Sequence, residues 1–302
     1  MKIKANGIDI EVEDSGPRLN EQGKAGPAVL LIMGLGMQLI AWPPVMVQAL
    51  VAAGFRVVRF DNRDAGLSQH FDRLGAPKLL WAGLKYRFGW RITPPYSLRD
   101  MAADALGVLD ALQIDRAHIV GLSMGGMIAQ RLALMAPARV LSLVSIMSSS
   151  GARGLPAAKP EVTRLMFSRP AGRGLPAAVD HSVKLFKAIG SPGFPMDDAD
   201  LRQRVSAAAE RSLYPQGILR QMIAIMADST RAEALAGIAV PTLVVHGKAD
   251  PLVPFACGED TARRIPGARL VGIEGMGHDL PPGAVDRLLP LLIPHFDAVR
   301  LE

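Results

Sequence analysis

Residues 118–130 read HIVGLSMGGMIAQ, and the reading of Ser123 within them decides the fold. The apolar run before Ser123 has the character of a short buried strand, and the run after it has helical spacing. Between them Gly121, Ser123 and Gly125 form G-x-S-x-G, with Gly126 next. A strand that turns this sharply into a helix forces its central residue into a strained backbone conformation. The residues two before and two after must then be small, or their side chains collide. The strain exposes the serine hydroxyl above a sheet, at a helix N-terminus. There the free N–H groups and the dipole favour negative charge. The pentapeptide alone also suits an ordinary tight turn. The strand before it and the helix after it make Ser123 a candidate nucleophile.

Working outward, the same alternation continues. Lys2–Ala5 and Ile8–Glu13 alternate apolar and polar residues, as strands do. PAVLLIMG (Pro27–Gly34) and the stretch Phe55–Phe60 are continuous apolar runs, the pattern of strands buried on both faces. AHIVGLS, RVLSLVSIM, VPTLVVHG and ARLVGIEG supply four further strands. Helices are expected over Pro44–Ala53, after an N-cap at Ser97, from Ser123 to a stop at Pro137, over Phe255–Arg264 and over Ala284–Ala298. Strands alternating with helices imply a mostly parallel central sheet with helices on both faces. The stretch 148–239 shows no clear strand and is broken by Pro and Gly, as in GSPGFPMDDAD. It is expected to be a helical cap inserted after the sixth strand, leaving 1–147 and 240–302 as the core.

A serine needs a base, and the chain has six histidines. His118 lies in the strand before the serine and is expected to pack there. His246 ends a strand, His295 closes the last helix, and His70 and His181 fall in loop or cap regions. His278, in EGMGHDLP, sits on a glycine-rich loop after the last strand, where an imidazole can reach over the sheet top. The base needs an orienting acid. Asp250, in VVHGKADPLVP, follows the preceding strand, whereas the loop after RVLSLVSIM contains no carboxylate. Asp279 adjoins His278 and competes. The order Ser123, Asp250, His278 is the one the α/β-hydrolase fold requires. Two N–H groups must also meet the oxygen that gains charge. Met124, directly after the nucleophile, is one. Leu35, in MGLGMQ and flanked by Gly34 and Gly36, is the other, with Gly36 as the alternative.

Composition narrows the remaining classes. The chain of 302 residues is 49% hydrophobic and carries a net charge of +6. Its Lys and Arg are dispersed, which argues against a nucleic-acid partner. No apolar run reaches the roughly 18 residues that span a membrane, so stable membrane insertion is not expected. The N-terminus lacks the apolar core of a secretory signal, and a cytoplasmic location is expected. The single cysteine, Cys257, cannot form an internal disulfide and leaves no zinc cluster; it reads as a packing residue. The segment Phe71–Arg91 holds two tryptophans and five basic residues beside one acid, Asp72. It reads as a mobile lid or a patch touching an amphipathic or acidic substrate, as a membrane contact, or as a surface helix packing its apolar face on the cap. The surface-helix reading is preferred.

Taken together, LLIMGLG, FDNRDAGLS, GLSMGG, VVHGKADPLVP and GMGHDLP resemble the α/β-hydrolase superfamily over nearly the whole chain. Met33 before the loop glycine, AWP at Ala41–Pro43 and RDAGLS at Arg63–Ser68 resemble the aclacinomycin methylesterase-like branch of capped carboxylesterases. Met33 stands where that superfamily usually has histidine; this leaves the backbone donors untouched. The resemblance implies a serine hydrolase that cleaves a carboxylic ester of a small-to-medium hydrophobic substrate through an acyl-enzyme. No metal or organic cofactor is implied. A serine rather than aspartate at the elbow points to acyl transfer, not alkyl transfer. Two other readings use the same residues: a cofactor-free perhydrolase, and a slow-turnover ligand-binding receptor.

Overall fold

The computed structural model describes residues 1–17 and 26–299. Eight strands form one sheet: β1 (Lys2–Ala5), β2 (Ile8–Ser15), β3 (Ala28–Ile32), β4 (Arg56–Phe60), β5 (Ala117–Leu122), β6 (Val140–Ile146), β7 (Thr242–Gly247) and β8 (Arg269–Ile273). Their spatial order is β1-β2-β4-β3-β5-β6-β7-β8. β1, β2 and β4 pair antiparallel, and from β4 to β8 every neighbouring pair is parallel. This is the α/β-hydrolase fold.

The helices are α1 (Pro44–Ala52), α2 (Leu79–Arg87), α3 (Leu98–Ala111), α4 (Met124–Met135), α5 (Pro160–Phe167), α6 (Gly174–Ile189), α7 (Asp198–Arg211), α8 (Pro215–Ala227), α9 (Arg231–Ala234), α10 (Phe255–Arg264) and α11 (Pro282–Asp297). The alternating side chains of β3 divide two cores. Leu30 and Ile32 join the α3 and α4 side, with Met101, Val108, Ile128 and Leu132. Val29 and Leu31 join the α1 and α11 side, with Met46, Leu50, Leu288 and Phe296. α3 begins as the spacing predicts. Ser97 caps it, and its Oγ accepts from Asp100 N–H while the Asp100 carboxylate accepts from Ser97 N–H. Ala136 and Pro137 end α4, because proline lacks the N–H that would continue the ladder.

α5 to α9 all lie between β6 and β7, and no strand occurs there. α7 and α8 are tied to the loop after β4 by buried charge. Arg220 of α8 donates from Nε and Nη2 to Asp64 at 2.8 and 3.0 Å, with both side chains fully buried. Tyr96 Oη donates to the same carboxylate at 2.7 Å, and burial pushes its phenol pKa far up. Arg211 of α7 donates to Asp61 at 2.7 Å. Burial raises the Asp61 pKa, against the pull of the Leu39 and Leu67 N–H groups and of Arg211.

The segment 71–91 departs from expectation. A surface helix forms there as α2 and lies against α8, but most of its apolar residues face water: Leu80 is 94% exposed, Trp81 52% and Leu84 42%. Only Ala82 of α2 is buried. A glycine at 83 and a short nine-residue span leave little inward surface to pack, so the segment's apolar content did not decide which way it faces.

Candidate active site

Ser123 has φ +55° and ψ −120°, a conformation non-glycine residues rarely adopt. Its neighbours make the turn possible. A Cβ on Gly121 would lie 2.2 Å from Gly125 O, and one on Gly125 would lie 2.0 Å from Ile32 O. Any side chain at either position would therefore displace backbone. The turn is held further by Ser148, whose Oγ donates to Ser123 O at 2.7 Å.

His278 Nε2 lies 3.0 Å from Ser123 Oγ, and His278 Nδ1 lies 2.6 Å from Asp250 Oδ2. The other oxygen of Asp250 accepts from Leu252 and Val253 N–H, both at 2.8 Å. Two backbone donors thus aim the carboxylate, and it in turn aims the imidazole. With Asp250 accepting at Nδ1, the Nε2 lone pair faces the serine hydroxyl. Asp250 and His278 are buried and Ser123 is half-buried.

The competing residues make their hydrogen bonds to other groups. Asp279 accepts from Ser191 Oγ at 2.5 Å, and burial raises its pKa. His118 is fully buried against Phe55 and Phe296 and bonds Ser142 Oγ at 2.8 Å. Burial lowers its pKa to about 4. His246 Nε2 bonds Val253 O at 2.7 Å and lies 3.6 Å from Asp250 Oδ2, and burial lowers its pKa as well. His70 stacks on Tyr214. Burial lifts the Cys257 thiol to about 11, so it stays protonated and unreactive at neutral pH. Among the described residues, no three His, Cys, Asp or Glu side chains are grouped so as to hold a metal ion.

The loop after β3 lies against the serine: a Cβ on Gly34 would be 3.2 Å from Ser123 Cβ. Within it, Leu35 N–H has no backbone partner among the described residues. Met124 N–H opens α4, where the first amides have no acceptor in the helix. Gly36 is not equivalent to Leu35, because its N–H donates to Gln221 Oε1 at 2.8 Å.

Four supporting residues have tasks that the local sequence does not show. Gln221 of α8 bridges this loop to the loop after β4, donating from Nε2 to Arg63 O at 2.8 Å. Asn62 Nδ2 donates to Met33 O at 2.9 Å. Ser191 Oγ accepts from Gly277 N–H at 2.8 Å, and Ile189 O accepts from His278 N–H at 2.7 Å. The end of α6 therefore holds the histidine loop. FDNRDAGLS was legible as a motif; its task of bracing the loop after β3 was not.

A strained serine at a strand–helix junction, linked through a histidine to a buried carboxylate, defines the class of serine hydrolases built on this sheet. The model of the alpha/beta hydrolase family matches residues 29–289, and the chain belongs to that family. It is 32% identical to the rhodomycin D methylesterase DauP of a Streptomyces species, over 93% of this chain and 95% of that protein. The rhodomycin D methylesterase DnrP of Streptomyces peucetius is also 32% identical, with the same coverage. Among solved structures, the meta-cleavage product hydrolase CumD of Pseudomonas fluorescens superposes with a TM-score of 0.75 at 21% identity. That match covers 99% of this chain and 98% of CumD, and is a likeness of fold.

Proposed function

We propose that the chain is a serine esterase that cleaves carboxylic esters of small-to-medium hydrophobic substrates. The observation that carries this reading is the continuous chain from Ser123 Oγ through His278 to Asp250. Ser123 is the nucleophile, His278 the base, and Asp250 the orienting acid. Met124 and Leu35 N–H are the oxyanion donors, and Gly121 and Gly125 are the elbow glycines. His278 takes the hydroxyl proton as Ser123 Oγ bonds the ester carbon. The carbonyl oxygen gains charge facing the two N–H groups. Collapse breaks the bond to the alcohol, which leaves with the proton from His278. Water then gives its proton to His278 and attacks the acyl-enzyme, and the acid departs as Ser123 recovers the proton.

Methyl esters are the first substrates to try, because two methylesterases align along nearly the whole chain. The division into a core of 1–147 and 240–302 and a cap of 148–239 belongs to the same reading. It is supported by the five helices between β6 and β7. So does a cytoplasmic setting, which a single buried cysteine suits. Among the described residues, no helix is long and apolar enough to cross a membrane.

The test is intact mass after exposure to a fluorophosphonate, with Ser123→Ala alongside, followed by a panel of methyl esters. One adduct on the parent, none on the variant, and turnover by the parent alone are expected. A modified Ser123→Ala, or turnover that survives the substitution, would overturn the reading.

A further inference from the structure

The segment 71–91 takes no part in the chemistry above, yet it is the least ordinary surface of the molecule. At 100° per residue, Leu80, Trp81, Leu84 and Phe88 fall in one sector about 100° wide. They are 94%, 52%, 42% and 60% exposed. Trp90 stacks on Phe88, with ring centroids 5.4 Å apart, and extends the stripe. Basic residues border it. Lys78 and Lys85 run along one edge and Arg87 along the other, and Lys85 Nζ lies 6.0 Å from the centre of the Trp81 ring. Arg87, Arg153, Tyr86 and Phe88 surround an open depression of about 480 Å³. No acidic residue occurs from 73 to 99.

The exposure does not come from a loose segment. Its base is fastened where Tyr214 Oη donates to Asp72 at 2.5 Å and Arg220 Nη1 donates to Gly75 O at 2.7 Å. Arg153 Nη2 donates to Gly89 O at 3.3 Å beyond the helix. Both ends are held, and the apolar stripe is presented between them.

We propose that α2 and the turn through Arg91 form a docking surface for an anionic lipid bilayer. A nine-residue helix is about 13 Å long, so it lies in the headgroup plane and does not span. Tryptophan and tyrosine suit that boundary, where one side of the ring is apolar and the other wet. Lys and Arg extend their charged ends toward lipid phosphates while their stems cover apolar surface. The net charge of +6 adds attraction at longer range. A second copy of this chain fits less well. A two-fold contact through this stripe would set Lys78, Lys85 and Arg87 near their own counterparts, with no acid in the stretch to offset them.

The experiment is flotation of the full chain with vesicles of phosphatidylcholine alone, and of equimolar phosphatidylcholine and phosphatidylglycerol. Sedimentation without lipid runs in parallel. The parent is expected to float with the anionic vesicles at low salt, with blue-shifted tryptophan emission. It should be released at about 1 M salt, where screening acts within about 3 Å. Leu80→Glu combined with Leu84→Glu should weaken partitioning roughly tenfold or more. Lys78→Glu, Lys85→Glu and Arg87→Glu together should weaken it roughly hundredfold. Fluorophosphonate labelling and hydrolysis of a soluble ester should be unchanged in both variants. Vesicle binding does not depend on turnover, so it is read separately from the proposed activity. A parent that stays unbound on anionic vesicles at low salt overturns the proposal. So do variants that float as the parent does, or a dimer that Leu80→Glu dissociates while vesicles retain nothing.

Discussion

Replacing Gln221 with methionine tests whether the inserted helices hold the loop after β3, with its proposed oxyanion donor Leu35, in place. Gln221 is fully buried and makes two hydrogen bonds, both at 2.8 Å: one from Gly36 N–H and one to Arg63 O. Methionine has similar length and can make neither bond. Gly36 N–H and Arg63 C=O are then left unpaired, at about 1–3 kcal/mol each. The expected loss is about 2–6 kcal/mol, set against about 5–15 kcal/mol for a whole domain. Activity should fall for a separate reason. Gly36 has φ +66°, and a Cβ there would lie 2.7 Å from Ile218 Cγ1, so α8 sits directly on this turn. Without Gln221 the peptide after Leu35 is no longer tethered. Complete loss of one oxyanion donor lowers kcat by about 10²–10³; a displaced donor should lower it roughly tenfold, with KM little changed. Gln221→Glu separates the two bonds. Its carboxylate still accepts from Gly36 N–H but faces Arg63 O as a second acceptor, so stability should fall while most of kcat remains. Urea unfolding and steady-state hydrolysis of a soluble methyl ester give both quantities. If Gln221→Met loses stability yet keeps the parent kcat, the loop does not depend on α8, and the case for Leu35 as a braced donor fails.

Two further outcomes are expected. Asp250→Asn should keep the fold but lower kcat by about 10⁴-fold, as it does in the serine-protease triad, because an amide NH₂ facing Nδ1 imposes the wrong tautomer; pH-rate profiles of parent and variant check this. His118 has its pKa lowered to about 4 by burial, from an ordinary 6.5. A depressed folded-state value means that the unfolded chain binds the proton first. Its contribution, about 3 kcal/mol, is full above pH 6.5 and is lost as the pH falls toward 4. His118→Gln should flatten the urea midpoint across that window, and an unchanged slope would refute the assignment.

Much of this molecule is legible along the chain. Each parallel strand is an apolar run closed by Gly, Pro or a polar turn, and β3, β5 and β7 fall within about two residues of where those runs lie. Ser97 with Asp100 starts α3, and Pro137 ends α4, because both signals act through the nearest backbone groups. The serine turn is legible for the same reason. Gly121 and Gly125 are demanded by atoms a few residues away in sequence, and by Ile32 on the adjacent strand. His278 and Asp250, the proposed base and acid, were singled out by loop position, since the ends of parallel strands open on one edge of the sheet.

What the chain by itself determined, then, was local: which runs form strands, where helices start and stop, and which loops carry the serine, histidine and aspartate proposed as nucleophile, base and acid. The tertiary structure decided what depends on partners distant in sequence. The 2.6 and 3.0 Å contacts that join Asp250, His278 and Ser123 span 28 and 155 positions. The bracing of the loop after β3 by Gln221 spans 185, and no short-range pattern marks a glutamine for that task. The direction α2 faces was decided in the same way. Its apolar residues would serve equally to cover a core or to meet a partner. The anchoring of both its ends by Tyr214, Arg220 and Arg153 coincides with a stripe turned to the solvent. Hydrophobic burial is non-directional, so composition alone does not say which surface an apolar stripe will cover.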